Sequence, residues 1–120
     1  MRITWSWQSF DMITAADLYA ILRLRQDVFI LEQSSLYADI DGRDPDARHL
    51  VGHSPDGRLA AYMRVFPATD PVAGTTLSRF VVAPWARGNG LARFRRAFTY
   101  FFFLSQSQAF TPMSFWGPVE

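Results

Sequence analysis

The stretch Phe80-Val81-Val82-Ala83-Pro84-Trp85-Ala86-Arg87-Gly88-Asn89-Gly90-Leu91-Ala92 constrains this chain more than any other part of it. Val81 and Val82 end an apolar run, and Pro84 blocks its continuation as a paired strand. Gly88 and Gly90 then allow the backbone to turn with positive φ and to pass close to a ligand. Leu91, Phe94, Phe98 and Phe101 follow at the spacing of one helical stripe. A strand, a glycine-rich turn and an immediate helix aim successive N–H groups at one point, where the helix N-terminus adds partial positive charge. Such a turn suits an anion, a diphosphate above all, and Arg87 adds a formal charge beside it.

The rest of the chain supplies the frame. Ile3, Trp5 and Trp7 alternate with Arg2, Thr4, Ser6 and Gln8, the period-2 pattern of a half-buried strand. Thr14 precedes Ala15, Ala16 and Asp17 as a helix cap, and Leu18, Ile21, Leu22, Arg25 and Phe29 continue at helical spacing. The spacing predicts a helix over about 15–29, with Arg23 and Asp27 as an i,i+4 pair on its solvated face. From Ser34 to Arg48 the chain turns polar and acidic, which predicts a solvated irregular loop with one helical turn around Leu36. Two apolar runs on either side of Pro55-Asp56-Gly57 predict a β-hairpin, with a third connected strand from Thr76 to Ala83. The predicted order is β-α-β-β-β-loop-α, an α+β fold with a mixed, mainly antiparallel sheet flanked by helices.

Composition removes several functions. The 120 residues make one domain, 1–120, and 49% apolar with 19% charged content excludes a disordered chain. A net charge of +1 gives no reason to expect nucleic acid as a partner. Cysteine is absent, which excludes disulfides, thiolate metal sites and cysteine nucleophiles. All 12 basic residues are arginine, so no Schiff-base lysine and no P-loop lysine exists. The dinucleotide fingerprint needs a third spaced glycine and a βαβ setting, and neither is present. The acidic loop fails as an EF-hand because Gly42 stands fourth and no closing glutamate follows. The first ten residues lack the pattern of a secretory leader. The longest apolar block, at Phe101–Leu104, falls far below the ~20 residues of a spanning helix. A cytoplasmic protein with no membrane contact is the expectation.

Arg87-Gly88-Asn89-Gly90-Leu91-Ala92, read as Arg-x-x-Gly-x-Ala after Val81-Val82-Ala83-Pro84, resembles the acetyl-CoA diphosphate loop of the GNAT acyltransferase superfamily. The resemblance extends over about residues 3–93 to the ElaA-type branch. It runs through Trp5 and Trp7, Leu22-Arg23-Leu24-Arg25, Glu32-Gln33, Tyr37-Ala38-Asp39-Ile40-Asp41-Gly42-Arg43-Asp44, Arg48-His49-Leu50 and Ala61-Tyr62-Met63-Arg64. It implies transfer of an acetyl group from acetyl-CoA, as co-substrate, to an amine of unknown identity. It implies contacts to acetyl-CoA from Phe80, Val81, Val82, Arg87, Gly88, Asn89, Gly90, Leu91 and Ala92, with a backbone N–H at Val81 or Val82 receiving the thioester oxygen. Glu32 and His49 are the candidates for the base that takes the amine proton. No metal is implied.

After Ala92 the resemblance stops. Seven of the eleven phenylalanines lie between Phe94 and Phe115, and no charged residue occurs from Ala97 to Val119. Residues 97–120 read as a helix end followed by an atypical Phe-rich tail, the mark of a truncated or frame-shifted chain. The fold expected is therefore GNAT-like without its C-terminal strands, and the open sheet edge would favour a homodimer. Three readings of the activity stand at this stage: an active acetyltransferase, a catalytically inactive CoA-binding remnant, and an interaction module that docks through its tail.

Overall fold

A computed structural model describes residues 2–67, 75–90 and 114–118 of the chain. Strand β1 (Arg2–Ser9) leads through a short 3-10 turn into helix α1 (Ala15–Arg25), which continues as a π-helical segment over Gln26–Glu32. An irregular loop follows, then β2 (Arg48–His53), β3 (Leu59–Phe66), β4 (Thr76–Val82) and, near the end of the chain, β5 (Ser114–Pro118). The five strands form one antiparallel sheet in the order β4-β3-β2-β1-β5. The α+β class and the mainly antiparallel sheet are as the sequence predicts.

The local signals account for most of these elements. Thr14 caps α1 with its side-chain oxygen, which accepts from the Asp17 N–H at 3.1 Å. The Pro55-Asp56-Gly57 turn closes the β2–β3 hairpin, with Gly57 at φ +87°. Ile3, Trp5 and Trp7 are buried to 1% exposure or less, whereas Thr4, Ser6 and Gln8 on the other side of β1 are half-buried. In register, Trp7 faces Leu50 and then Met63, and Trp5 faces Gly52 and then Ala61, so these side chains share one sheet face. The opposite face carries His49, Val51, Tyr62 and Arg64. There α1 packs through Ile21, Leu24 and Arg25, with Val28 of the π-helical segment extending the stripe.

Three features differ from the expectations. The turn expected around Leu36 forms instead at Asp44–Asp46, where Pro45 sits in the first turn, and Leu36 is exposed. The acidic loop is not solvated: Asp39 and Asp44 are buried. Within the Phe-rich tail, Ser114–Pro118 is a strand rather than unspecified chain, and it pairs along β1 from Ser6↔Ser114 to Arg2↔Pro118. Aromatic and small residues with no charge are compatible with an edge strand, and Pro118 sits at its end. The helix predicted from Leu91, the stripe Phe94, Phe98 and Phe101, and the remainder of 97–120 lie outside the described residues. No helix among the described residues is long and apolar enough to cross a membrane.

Candidate active site

β4 brings the chain to the site and is irregular on the way. Tyr62 pairs with Val81 and Arg64 with Ser78, so Arg79 and Phe80 together stand opposite the single residue Met63. This is a β-bulge. Arg79 lies at φ +54°, in the left-handed region that non-glycine residues rarely enter. The bulge precedes Val81 and Val82, the two residues from which a backbone donor is expected. No signal in the sequence marks it, because the left-handed position holds an arginine rather than a glycine.

Past β4, Ala83 N–H bonds back to the Ala60 carbonyl at 2.8 Å, and Pro84–Ala86 forms one 3-10 turn. Gly88 at φ +86° and Gly90 at φ +74° bend the chain around Asn89, whose side-chain amide donates to the Ala86 carbonyl at 2.9 Å. Among the described residues, nothing lies within 4 Å of the point where a Cβ on Gly88 would stand. Open space above alternating left-handed residues fits a diphosphate approaching the backbone. Trp85, at the rim, stacks under the Arg58 guanidinium at 3.8 Å. Leu91 and Ala92 lie outside the described residues.

Of the candidate residues, the structure brings Glu32 and Arg87 together. Arg87 donates from Nη1 to Glu32 Oε1 at 2.8 Å and from Nη2 to Oε2 at 2.9 Å. The hydrogen bonds from Arg87 hold the Glu32 carboxyl below its ordinary pKa, so it is ionised at neutral pH. Glu32 closes the π-helical segment, which is how a residue 55 positions away reaches the glycine turn.

His49 is placed elsewhere. It is buried on the α1 face of β2, with Nε2 2.9 Å from the Asp44 carbonyl and Nδ1 2.5 Å from the Tyr62 hydroxyl. A carbonyl only accepts, so Nε2 carries the proton and Nδ1 accepts from Tyr62. Burial depresses the His49 pKa and raises that of Tyr62, which keeps both groups neutral. Both ring nitrogens are engaged inside the fold.

What the sequence reading missed is the cluster beside His49. Arg25 donates from Nε to Asp39 Oδ2 at 3.0 Å, from Nη2 to the Asp39 carbonyl at 2.7 Å and from Nη1 to Asp44 Oδ1 at 2.8 Å. Arg64 grips Asp41 with two bonds of 2.8 and 2.9 Å, shares Asp44 Oδ1 at 3.0 Å and reaches Ser78 Oγ at 3.0 Å. Arg79 donates from Nε to Asp39 Oδ1 at 2.8 Å, with Nη2 3.4 Å from Asp41 Oδ2. Three arginines from α1, β3 and β4 thus gather three aspartates of one loop. Hydrogen bonds from Arg64, before any other cause, hold the Asp41 carboxyl well below the usual carboxylate range. A groove of about 570 Å³ opens between α1 and this loop, lined by Tyr19, Leu22, Gln26, Ile30 and Ile40 and floored in part by Asp39. Neither Glu32 nor Arg87 lines it.

Comparison with known proteins sets this arrangement among relatives. No family model matches the chain. It is 41% identical over 97 residues to the UPF0039 protein sll0451 of Synechocystis sp., an alignment covering 78% of this chain and 60% of that protein. It is 36% identical over 88 residues to the protein ElaA of Escherichia coli, covering 72% of this chain and 57% of ElaA. The chain therefore spans somewhat under two thirds of the length of these curated relatives. The crystal structure of Escherichia coli ElaA superposes with a TM-score of 0.74 at 32% identity, covering 83% of this chain and 68% of that one. The crystal structure of an acyl-CoA N-acyltransferase from Pseudomonas aeruginosa superposes with a TM-score of 0.69 at 30% identity, covering 92% of this chain and 75% of that one. On these likenesses in sequence and fold, the chain belongs to the ElaA-type branch of the GNAT acyltransferase superfamily.

Proposed function

We propose that the chain binds acetyl-CoA through the turn at 87–90 and is an N-acetyltransferase that passes the acetyl group to an amine acceptor. The observation that carries this reading is the pair of left-handed glycines, Gly88 and Gly90, shortly after β4, with none of the described residues within 4 Å of a Cβ at Gly88. In this reading the backbone of 87–90 and the Arg87 guanidinium hold the diphosphate. Phe80, Val81 and Val82 offer β4 backbone to the pantetheine and thioester. Leu91 and Ala92 are proposed to contact acetyl-CoA on the resemblance alone.

The two Nη N–H groups that hold Glu32 are the same end-on fork with which Arg87 would grip a diphosphate. Binding of the diphosphate would therefore release Glu32, whose carboxylate regains its ordinary basicity once the Arg87 bonds are gone. Glu32 is the carboxylate assigned to accept the amine proton, directly or through one water. His49, with both nitrogens engaged, is assigned to holding the loop 44–46 and the Tyr62 ring rather than to proton transfer. Transfer itself moves the acyl carbon from sulfur to the amine nitrogen, so the missing cysteine is no obstacle.

A thermal-shift titration with acetyl-CoA tests the binding, with adenosine and inorganic diphosphate as controls. The expected result is saturable stabilisation of about 2–3 kcal/mol at a hundredfold excess over Kd, lost in Gly90→Glu. Stabilisation that survives Gly90→Glu unchanged would show that the loop has been misassigned. Release of free thiol on addition of an amine panel then separates a transferase from a chain that only binds CoA. Light scattering reads the expected homodimer, which a clean monomer would exclude.

A further inference from the structure

The irregular point of β4 and the buried charge cluster meet at one residue. Arg79 occupies the left-handed position of the bulge, and its side chain is anchored by Asp39 through Nε at 2.8 Å, with Asp41 at 3.4 Å and the Tyr37 ring 5.0 Å away. A left-handed φ on a residue with a Cβ is unfavourable and persists only where the surroundings over-determine it. Here they do. Asp39 is itself held by Arg25 from α1, and Asp41 by Arg64 from β3, while Arg64 also bonds Ser78 immediately before the bulge. Each partner of Arg79 is fixed by a second arginine, so the anchor does not yield when β4 pulls on it. Charge-assisted bonds of this kind are the stronger ones in a fold, and Arg79 is only 18% exposed.

We propose that Arg79 is a positioning residue for acyl-CoA. Its pairing with Asp39 and Asp41 locks the β4 bulge and so fixes the direction in which the backbone of Val81 and Val82 and the turn after it meet the ligand. The proposal rests on the acetyl-CoA reading above and adds to it the part of the molecule that sets the geometry of β4. Bulges re-aim the strand beyond them. A bulge at 79–80 lies within three residues of the backbone that would line the thioester, and among the described residues β4 is an edge strand. The acidic loop thereby acts as a clamp on β4.

Glycine is the discriminating substitution. In ordinary strand, glycine is worse than alanine; at a locked left-handed position the order inverts. Arg79→Ala loses the anchor and keeps the unfavourable φ, so β4 relaxes toward regular pairing. Arg79→Gly loses the anchor and removes the cost of the bulge. The expected results are a higher Tm for Arg79→Gly than for Arg79→Ala, and faster amide exchange across 80–82 in the alanine variant that glycine partly restores. Acetyl-CoA affinity by calorimetry should fall tenfold or more in Arg79→Ala and return to within about threefold of wild type in Arg79→Gly. A side chain that only contributes ion pairs would leave the two variants equal or glycine the worse, and that result overturns the proposal. So does wild-type affinity in Arg79→Ala. Should the wild-type chain bind no acetyl-CoA at all, the cofactor reading falls, and the order of Tm and exchange still decides the clamp: alanine above glycine overturns it, glycine above alanine supports it.

Discussion

Arg87 and Glu32 face each other fork to fork, with Nη1–Oε1 at 2.8 Å and Nη2–Oε2 at 2.9 Å, across the gap between the end of the π-helical segment and the glycine turn. The pair is partly exposed, 43% for the arginine and 46% for the glutamate, so solvent screens it. On the acetyl-CoA reading proposed above, its consequence lies in competition for Arg87 rather than in stability. Glu32→Gln removes the competing charge, and affinity for inorganic diphosphate and for CoA should rise roughly two- to fivefold, the size expected of an exposed pair. Calorimetry at low salt checks this; weaker binding in Glu32→Gln would mean that the carboxylate helps to shape the site.

The aspartate at the centre of the charge cluster should matter far more for folding. Asp44 Oδ1 accepts from Arg25 Nη1 at 2.8 Å and from Arg64 Nη1 at 3.0 Å, and its carbonyl accepts from His49. Arg25 is only 1% exposed. Asp44→Ala leaves two buried guanidinium groups short of an acceptor, and removing one partner of a buried pair typically costs about 3–5 kcal/mol. Urea denaturation gives the number, and a loss below about 1 kcal/mol would mean that water or a shifted Asp41 replaces the carboxylate.

How far the sequence foretold this depends on the range of the interaction. The Trp5/Trp7 alternation, the Thr14 cap and the Pro55-Asp56-Gly57 turn are set by neighbours within a few residues, and each forms as expected. The glycine turn at 88–90 is legible for the same reason. The charge cluster is not: Arg25 and Asp39 lie 14 residues apart, Arg64 and Asp41 23, and Arg79 and Asp39 40. Taken singly, the aspartates have the pattern of solvated charges, and only the sheet register and the seat of α1 bring them to Arg25, Arg64 and Arg79. His49 misleads in a similar way, since a histidine entering a strand carries no local mark of the Tyr62 hydroxyl and the Asp44 carbonyl that occupy it. The β4 bulge escaped because its left-handed residue is held by distant aspartates and needs no glycine.

Gly52 is a test of packing alone. A Cβ there would stand 2.7 and 2.8 Å from the six-membered ring of Trp5 and 3.1 Å from Ile3 Cγ2, and both side chains are fully buried. Neither can move aside without opening the face that Trp7, Leu50 and Met63 complete. Gly52→Ala should therefore cost about 1–3 kcal/mol as overpacking, with a change in Trp5 fluorescence in the folded state. An unchanged midpoint in urea would mean that β1 and β2 can separate locally at no cost.

His49 should also set the acid limit of stability. Burial, before any other cause, lowers its pKa below the ordinary 6.5; Arg25 and Arg64 nearby add to this, while the hydrogen bond to the Asp44 carbonyl and the Asp44 charge act against it. The unfolded chain takes up a proton at His49 near pH 6.5, and the folded chain resists it. The folded state therefore has its full stability from this group above about pH 6.5 and loses it progressively as pH falls toward the folded-state pKa, by no more than about 1.4 kcal/mol per pH unit. Asp41 behaves alike in a lower window. Its folded pKa lies below the ordinary 3.8, so the stability it confers is complete above that value and is lost only in stronger acid. His49→Gln can still donate to the Asp44 carbonyl and accept from Tyr62 but does not titrate. Its Tm should be nearly flat between pH 6.5 and about 4.5, where the wild-type Tm declines, and both should fall together below that as the carboxylates are protonated. Parallel curves from pH 7 to 4.5 would show that the transition does not come from His49.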